Sequence, residues 1–560
     1  MFNTEPRARI EGPARQASLL VLTLLALLSA CGAPEKEAPA GEAAAVAETR
    51  HQGGTFRMAQ ASPRNLDPVR LQSVYESTVV NQIFDGLVSF DANLNTVPCL
   101  AESWTISRDG TVYTFHLKPG VHFHDGSEVT TEDFIYSITR AFRLPTEEGS
   151  LARAYLSHIA GTDDFLEGRA DWISGLEALS AHDVRITLER PFASFLAVLA
   201  MDCSRVVPKH YVETVGDADF GRAPVGAGPF VLKEWTKGER IILTAFEDYH
   251  QGRAWLDSLV FETPQDNRRD YAANAFLRGR LSVLEVQPGQ VAELQQRTGI
   301  QLASRQELSL TFLALNVDRE PFDDPRVRRA FALALDRPDL FGGDDPARTV
   351  PRGILPPGMP GYTREQKLFP HDPIRARRLL AEAGYPGGEG LPPIIMVTSD
   401  QSAQATVFNS KLATQMAQVG FQLRCEPLGW LDFFARLEAS DGHAFSLNWV
   451  ADIPDPDSFL YPLFHSRGAT NYMRYTNPHV DELLAAGRRA RSSLDRLQIY
   501  REAERLIIED APMVPLYHTV MVVAARPEVR GLDMTPMGMG NISLERVWLE
   551  PLQMARGGRP

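Results

Sequence analysis

Apolar and polar positions alternate with the period of strands in several segments after residue 53. GGTFRMA, VYTFHL and VRITLERPF each place an apolar side chain at about every second position, which is typical of half-buried strands. DG and HD pairs between such segments are turn signals. This part of the chain is therefore predicted to contain short strands joined by tight turns.

Other segments carry the period of an amphipathic helix. One helix is predicted to begin with Asp324 as N-cap and Pro325 in the first turn. Its predicted apolar face consists of Val327, Ala330, Phe331, Ala334 and Leu335. Its predicted solvent face carries Arg326, Arg328 and Arg329. A second helix is predicted over 373–383, behind an N-cap aspartate and before a glycine.

The segment from 392 to 450 predicts a parallel sheet. PPIIMVTSD reads as a buried strand, QATVFNSKLATQMAQVG as a helix and FQLRCEPL as a second strand, so a right-handed β-α-β unit is expected. A further helix around DFFARLEAS leads to HAFSLNWV, a third strand. Asp452 follows directly, at the carboxyl end where open α/β sheets bind ligands.

The stretch WVADIPDPDSF, residues 449–459, holds three aspartates in six positions and raises three alternatives. A calcium loop is disfavoured because two prolines stiffen the stretch, no glycine supplies the sharp turn and no glutamate has EF-hand spacing. A catalytic carboxylate pair lacks a partner motif. The third alternative is a carboxylate that holds the cationic group of a ligand.

The first 30 residues have the pattern of a secretion signal. Residues 17–30, ASLLVLTLLALLSA, are apolar but too short to span a bilayer, and three arginines precede them. Leu28, Ser29, Ala30 and Cys31 resemble the lipobox of bacterial lipoproteins, which implies a lipidated Cys31. The alternative is an ordinary signal peptide with an incidental cysteine. Residues 31–52 lack aromatic residues and apolar periodicity, so they are predicted to form a flexible tether.

Charge and length narrow the function class. The net charge of −14 argues against nucleic acid as a partner, since phosphates require basic patches. About 510 residues follow the tether, which is too long for one ordinary core. Cys99, Cys203 and Cys425 allow one disulfide, and their spacing contains no CxxC metal motif.

Six blocks in order resemble the bacterial extracellular solute-binding proteins that serve ABC importers of oligopeptides, dipeptides, nickel and related solutes. The longest is LAESWTISRDGTVYTFHLKPGVHFHDGSEVTTEDFIYS, residues 100–137. The others are APVGAGPFVLKEW, TFLALNVDREPFDDPRVRRAFALALDR, RLLAEAGYPGG, NYMRYTNPHVDELL and RLIIEDAPMVPLYH. The resemblance covers nearly the whole chain after the tether.

The resemblance implies an α/β, two-lobed periplasmic-binding-protein fold, with an extra subdomain in the N-terminal lobe and hinge closure over the ligand. The implied divisions are a signal peptide over 1–30, a tether over 31–52, lobe I over 53–75 with 205–305 and 520–560, an inserted subdomain over 76–204, and lobe II over 306–519.

The resemblance also implies a ligand site. In peptide-binding relatives the aspartate of a W-x-A-D stretch meets the α-ammonium of the ligand, and WVAD assigns that role to Asp452. Asp455 and Asp457 inherit no such role and are predicted to be turn residues. Two segments are implied to pair with the ligand backbone: Asn448, Trp449 and Val450, and Ser62, Pro63 and Arg64. Arg436 or Arg64 is the candidate for a ligand carboxylate.

Pro63 has no N–H, so one backbone bond to a peptide is absent, which favours a shorter or modified ligand. Two other motifs are set aside. His122 and His124 in VHFHD have a spacing that metals use, but they fall in a predicted strand and turn. PVGAGPF lacks a phosphate-binding pattern, and its glycines are predicted to let the chain turn between lobes. No metal and no cofactor are expected.

The sequence thus predicts a monomeric, lipid-anchored substrate-binding protein of an ABC importer, held in the periplasm or cell envelope. It is expected to bind a peptide or a small amine-bearing solute and to deliver it to the permease subunits. The first alternative is the same architecture with a non-peptide solute such as a nickel chelate, an opine or a sugar. The second is an extracytoplasmic enzyme, for which no catalytic constellation can be assembled by spacing.

Overall fold

The computed structural model describes residues 50–551 except 72, 146–149, 265–267, 288 and 344. The predicted signal peptide, Cys31 and nearly all of the tether lie outside the described residues. Mixed α/β structure, as predicted, fills the described part.

The strands are β1 (Thr55–Ala59), β2 (Val88–Phe90), β3 (Thr96–Pro98), β4 (Ala101–Ile106), β5 (Val112–Leu117), β6 (Leu176–Ala178), β7 (Asp183–Thr187), β8 (Phe230–Thr236), β9 (Arg240–Ala245), β10 (Ser258–Glu262), β11 (Val283–Glu285), β12 (Gln301–Gln306), β13 (Ser309–Leu315), β14 (Arg348–Thr349), β15 (Ile394–Thr398), β16 (Leu423–Pro427), β17 (Ala444–Val450), β18 (Met513–Ala525), β19 (Val529–Arg530) and β20 (Trp548–Leu549).

The α-helices are α1 (Val74–Ile83), α2 (Thr131–Arg143), α3 (Ser150–Leu156), α4 (Thr162–Leu166), α5 (Phe195–Val198), α6 (Lys209–Val215), α7 (Asp217–Phe220), α8 (Arg268–Leu277), α9 (Val291–Gln295), α10 (Pro325–Leu333), α11 (Arg337–Phe341), α12 (Pro373–Glu382), α13 (Ala403–Val419), α14 (Trp430–Glu438), α15 (Asp457–Phe464), α16 (Pro478–Arg489) and α17 (Ser493–Asp510). Short 3₁₀ turns cover Pro68–Arg70, Asp202–Ser204, Pro386–Gly388 and Met539–Asn541.

Two four-stranded sheets organise the first half of the described chain. One has the order β4-β5-β7-β6 and is antiparallel, and the alternation read in VYTFHL buries every second residue of β5. Phe115, Phe123 and Phe134 lie in the core that this sheet shares with α2. The other sheet has the order β1-β10-β9-β8 and packs against α1 in a second core. Each sheet thus has its own apolar core.

The largest sheet belongs mainly to the second half. Its strand order is β11-β18-β13-β17-β15-β16, with β12 and β14 also paired to β18. β15, α13 and β16 form the predicted β-α-β unit, and β15 pairs in parallel with both β16 and β17. Consequently the carboxyl ends of β15 and β17 face the same edge of the sheet.

β18 joins two parts of this sheet in one continuous strand. Its first residues, from Met513 to Tyr517, pair with β13, and its later residues, from Val520 to Ala525, pair with β12. At the crossing, the Glu307 amide donates to the Thr519 carbonyl at 3.0 Å. The two boundaries between predicted lobes I and II, at 305/306 and 519/520, where the hinge is expected, therefore lie side by side.

The helix at 325 begins as predicted but differs on its polar face. Asp324 accepts a hydrogen bond from the Arg326 amide at 2.7 Å and is the N-cap. Arg328, predicted to face water, is only 7% exposed. Its guanidinium donates to the carbonyl oxygens of Asp510, Phe322 and Asp323. The prediction for Arg328 is wrong because two of its partners lie in the turn just before the helix and the third is residue 510, and helix periodicity contains neither.

The glycines of PVGAGPF were predicted to let the chain turn, but the structure requires them because the chain packs closely against the backbone of Ile83. A Cβ on Gly226 would lie 2.1 Å from the Ile83 carbonyl oxygen, and one on Gly228 would lie 2.6 Å from the Ile83 carbonyl carbon. Gly228 also donates its amide to that carbonyl at 2.8 Å. These glycines hold the chain against the end of α1.

Among the described residues, no helix combines the length and the apolar character that crossing a membrane requires.

Candidate functional site: a cleft at the open edge of β17

Five of the seven residues of β17 have an edge that no other described strand covers. On one side all seven residues of β17 pair with β13, whereas on the other side β15 pairs only with Ala444 and Phe445. Ser446, Leu447, Trp449 and Val450 are half-buried and Asn448 is exposed. An open edge presents unpaired N–H and C=O groups, to which an extended chain adds as a further strand.

A cavity of about 830 Å³ lies beside this edge. Its walls include Ser446, Leu447 and Asn448 of β17, Thr398 at the end of β15 with Ser399 and Asp400 after it, Phe408 and Lys411 of α13, and Phe341, Arg348 and Tyr517. The volume falls within the range of small-molecule sites.

One part of the cavity wall consists of three aromatic rings and the Arg348 guanidinium. The Phe341 and Phe408 rings stack with centroids 5.6 Å apart, and Tyr517 meets Phe341 edge-on at 5.1 Å. The Arg348 guanidinium lies 4.6 Å from the Phe341 centroid and makes a 3.3 Å ion pair with Asp345. The Arg348 Nε atom is buried and has no hydrogen-bond partner. Arg348 thus retains capacity for another acceptor.

Sequence reasoning missed Arg348. The residue lies in β14, a two-residue strand, within GGDDPARTV, and no periodicity or motif there indicates a ligand site.

Asp452 lies just beyond the carboxyl end of β17, as predicted, but outside the walls of this cavity. Its Oδ2 accepts a 2.7 Å hydrogen bond from the Tyr155 hydroxyl on α3, and its backbone amide donates to Ser458 Oγ at 2.9 Å. Burial raises the pKa of the Asp452 carboxyl to about 6, although the Tyr155 hydrogen bond acts in the opposite direction. The Tyr155 contact connects the predicted inserted subdomain to the predicted lobe II.

No lysine, arginine or histidine within the described residues forms an ion pair with Asp452. The nearby aspartates differ in this respect. Asp457 is fully buried and receives Arg488 Nε and Nη2 at 2.8 Å each, while Asp455 receives Arg496 Nη1 and Nη2 at 2.7 Å each. Of the three aspartates, Asp452 is therefore the one whose charge remains available to a ligand.

The ion pairs also correct the view of Asp455 and Asp457 as turn residues. Asp455 does shape the turn, because its Oδ1 accepts the Asp457 amide at 2.8 Å. Both carboxylates, however, neutralise partly or largely buried arginines of α16 and α17. Their role is to hold the segment after Asp452 against those helices.

The other β17 residues differ in their surroundings. Trp449 donates its indole N–H to the Ser458 carbonyl at 2.8 Å and packs against the core of the second half. Asn448 lines the cavity, and its Oδ1 accepts from Thr311 Oγ1 at 3.0 Å. Val450 pairs with Ser309 at the end of the ladder.

The segment at 62–64 lies outside the cavity walls. Ser62 Oγ accepts from the Gly238 amide at 3.3 Å, Pro63 is buried, and Arg64 is exposed with its backbone amide on Glu76. These contacts leave the predicted backbone pairing of this segment with a ligand untested.

Arg436, the other candidate for a ligand carboxylate, already has acidic neighbours. Its guanidinium lies 2.8 Å from an Asp441 carboxylate oxygen and 3.5 Å from a Glu426 carboxylate oxygen. Among the arginines considered, Arg348 is the one that lines the cavity.

The fold and the cleft define a two-lobed solute-binding protein. The chain belongs to the bacterial extracellular solute-binding proteins, family 5, whose middle-region model matches residues 95–471. The chain is 30% identical over 509 residues to the "Probable di/tripeptide-binding protein 5" of Pseudomonas aeruginosa, covering 86% of this chain and 94% of the relative.

Two solved structures share the fold. The periplasmic binding protein DppA from Helicobacter pylori, solved with the peptide STSA, has 28% identity and a TM-score of 0.77, covering 89% of this chain and 99% of its own. The binding protein AgaA from A. tumefaciens R10, solved with agropinic acid, has 26% identity and a TM-score of 0.74, with the same coverages. The predicted family and fold class are confirmed.

Proposed function

We propose that this protein is the substrate-binding component of an ABC importer and that it captures peptides between two lobes. The ligand backbone would pair with the open edge of β17, and the ligand α-ammonium would meet Asp452. The observation that carries this proposal is the juxtaposition of an uncovered strand edge with a partly buried carboxylate that no described cation neutralises.

The two elements have complementary uses. Backbone pairing recognises any extended peptide without reading its side chains, which suits a receptor for mixed substrates. The carboxylate fixes the direction of the peptide, because only its amino end carries the ammonium that repays the desolvation of Asp452. Arg348, in the cavity next to the edge, is the candidate cation for an acidic group of the ligand.

The peptide and di/tripeptide names of the relatives support this choice. The AgaA complex with agropinic acid supports the alternative of a non-peptide solute in the same architecture. An amine-free ligand would leave Asp452 without a counter-charge, so the unpaired carboxylate favours an amine-bearing ligand.

We further propose that the mature protein begins at Cys31, is anchored in the cell envelope by lipid and reaches the permease by its tether. The lipobox resemblance and the tether composition support this proposal, and both lie outside the described residues. The division into lobe I, inserted subdomain and lobe II, with the boundaries given above, stays a prediction.

Mass spectrometry of the material that co-purifies with the protein tests the substrate class. Peptides should dominate and should rebind to the emptied protein in calorimetric titration. Recovery of a single non-peptide solute that rebinds would favour the alternative. Turnover of a bound peptide into products would contradict the assignment as a binding protein.

A further inference from the structure

Three segments that are far apart in the sequence bring a carboxylate, a thiol and an imidazole together. Asp85 follows α1, Cys99 follows β3, and His250 lies in the loop between β9 and β10. One ligand atom from each residue lies within 4.8 Å of the other two. This cluster is remote in sequence from β17 and has no part in the proposed peptide site.

The backbone holds the three segments in place. The Leu87 carbonyl accepts the Cys99 amide at 3.2 Å, and the Asp85 carbonyl accepts the Val206 amide at 2.9 Å. The turn that carries His250 is closed by the Gly252 amide, which donates to the Tyr249 carbonyl at 2.8 Å. The three side chains are therefore preorganised rather than gathered by chance on mobile loops.

The cluster is buried and its hydrogen bonding is incomplete. Cys99 is 1% exposed, Asp85 is 7% exposed, and the His250 side chain is 6% exposed. His250 Nε2 lies 2.7 Å from Asp85 Oδ2, but the buried Nδ1 has no hydrogen-bond partner. Cys99 Sγ accepts a hydrogen bond from the Gln251 side-chain amide at 3.6 Å, and the thiol also makes a side-chain hydrogen bond with Asp85. An imidazole that served only to bind Asp85 would be expected to satisfy its second nitrogen as well.

We propose that Asp85, Cys99 and His250 form a binding site for a divalent cation of the zinc class. Thiolate, imidazole and carboxylate are the donors that Zn²⁺ takes, and three protein ligands leave a fourth position for water or another carboxylate. Glu545 is nearby, since its Oε2 accepts a 3.5 Å hydrogen bond from the hydroxyl of Tyr249, the residue before His250. On binding, the Cys99 thiol gives its proton to solvent and the thiolate binds the cation.

The consequence would be structural. Asp85 and Cys99 belong to the predicted inserted subdomain, whereas His250 belongs to the predicted lobe I. A shared cation would tie these two regions together away from the hinge. The competing explanation is a hydrogen-bonded His–Asp pair beside an inert buried thiol.

Cobalt binding distinguishes these explanations, because Co²⁺ occupies zinc sites and a thiolate ligand gives it a charge-transfer band in the near ultraviolet. The full chain is used in a Cys31→Ser background, so that Cys31 contributes no thiolate. Co²⁺ is offered to the folded protein and also during refolding from urea, so that slow entry into the buried site cannot hide binding. The matched control is Cys425→Ser, which removes a thiol outside the cluster.

The expected result is one Co²⁺ per chain with the thiolate band, retained in Cys425→Ser and lost in Cys99→Ser. His250→Gln should weaken binding by more than about 100-fold, since second-shell partners alone contribute about 10- to 100-fold. Zn²⁺ should displace Co²⁺ and raise the Tm of the parent chain but not that of His250→Gln. Absence of the band in the parent chain, or its persistence in Cys99→Ser, would overturn the proposal.

Discussion

Asp452 combines partial burial, a raised pKa and the lack of a cationic partner among the described residues. An aspartate kept only for structure is usually neutralised, as Asp457 is by Arg488. The unbalanced charge is the physical basis for expecting a ligand cation at this residue.

Asp452→Asn should weaken binding of a peptide by about two to three orders of magnitude, because breaking one side of a buried pair costs about 3–5 kcal/mol. N-acetylation of the peptide should harm the parent protein comparably and the variant much less, since both changes remove one interaction. Calorimetric titration of this cycle measures the coupling. Tyr155→Phe is the control, with a loss of no more than about tenfold for one neutral hydrogen bond. Equal losses on acetylation in the parent and in Asp452→Asn would place the ammonium elsewhere.

The raised pKa of Asp452 predicts proton release on binding. With a pKa of about 6 while Tyr155 contacts Asp452 and no ligand is bound, the carboxyl is half protonated at pH 6, and a ligand ammonium lowers that pKa. Binding at pH 6 should therefore release up to about half a proton, and binding at pH 8 should release none. Affinity should fall as the pH drops below 6. Titrations in buffers of different ionisation enthalpy measure the proton, and release of the same size in Asp452→Asn would disprove its origin in Asp452.

The raised pKa of Asp452 also makes folding stability depend on pH, but in the direction opposite to ligand affinity. Because the folded state holds the proton more tightly than the unfolded chain, the contribution of Asp452 to the free energy of unfolding decreases as the pH rises from about 4 to about 6. Above about pH 6, Asp452 is ionised and can bind a ligand ammonium, but it no longer stabilises the ligand-free protein.

At the scale of elements, the turn between β17 and α15 is held by ion pairs to two other helices. The Tyr500 hydroxyl adds a 2.9 Å hydrogen bond to Asp457. These contacts hold the segment that follows Asp452 against α16 and α17.

Asp457→Asn should lower the free energy of unfolding by about 3–5 kcal/mol, because it leaves the largely buried Arg488 without its counter-charge. Under conditions where the variant is folded, its affinity for peptide should stay close to that of the parent. Urea denaturation and calorimetry measure the two quantities. Glu177→Gln, at an exposed ion pair with Arg185, is the control and should change stability little. A large loss of affinity in folded Asp457→Asn would indicate a direct role in binding.

Local patterns predicted those elements whose partners are near in sequence. The β-α-β unit, the N-cap Asp324 and the parallel third strand follow from periodicity and capping, which act over a few residues. Arg328 was misplaced because its carbonyl partners include residue 510. The Asp85, Cys99 and His250 cluster was missed because no single spacing relates three separate segments. Contacts of this kind depend on packing, which hydrophobic patterns do not encode.

At the scale of the whole molecule, contacts cross between the predicted inserted subdomain and the predicted lobe II. Tyr155 binds Asp452, and Arg496 Nη2 donates to Ser194 Oγ at 3.0 Å. Side-chain contacts of this kind, which lie outside the hinge, are expected where two lobes have approached each other.

Closure over a ligand predicts a smaller radius of gyration in solution. Small-angle scattering of the emptied protein should show an open form, and saturating peptide should reduce the radius as the segments near 305 and 519 bend. Asp452→Asn with the same peptide concentration should remain largely open. A radius that does not change at saturating peptide would indicate a rigid body.

Lipid anchoring predicts that Cys31→Ser releases the protein from membranes without loss of peptide binding, since the proposed lipid would supply the attachment and the proposed peptide site lies far along the chain from Cys31. Cell fractionation and calorimetry check the two parts. Cys425→Ser should remain in the membrane fraction. A Cys31→Ser protein that still sediments with membranes would defeat the lipoprotein proposal.

β18 is synthesised long after β12 and β13, yet it lies between other strands in the largest sheet. Among the described strands, β13 lacks one neighbour until residues 513–517 are available, and β12 has no partner until residues 520–525 are available. Because pairing of distant segments is slow, assembly of this sheet must wait for the end of the chain. The order of synthesis therefore delays completion of this sheet until nearly the whole chain is available.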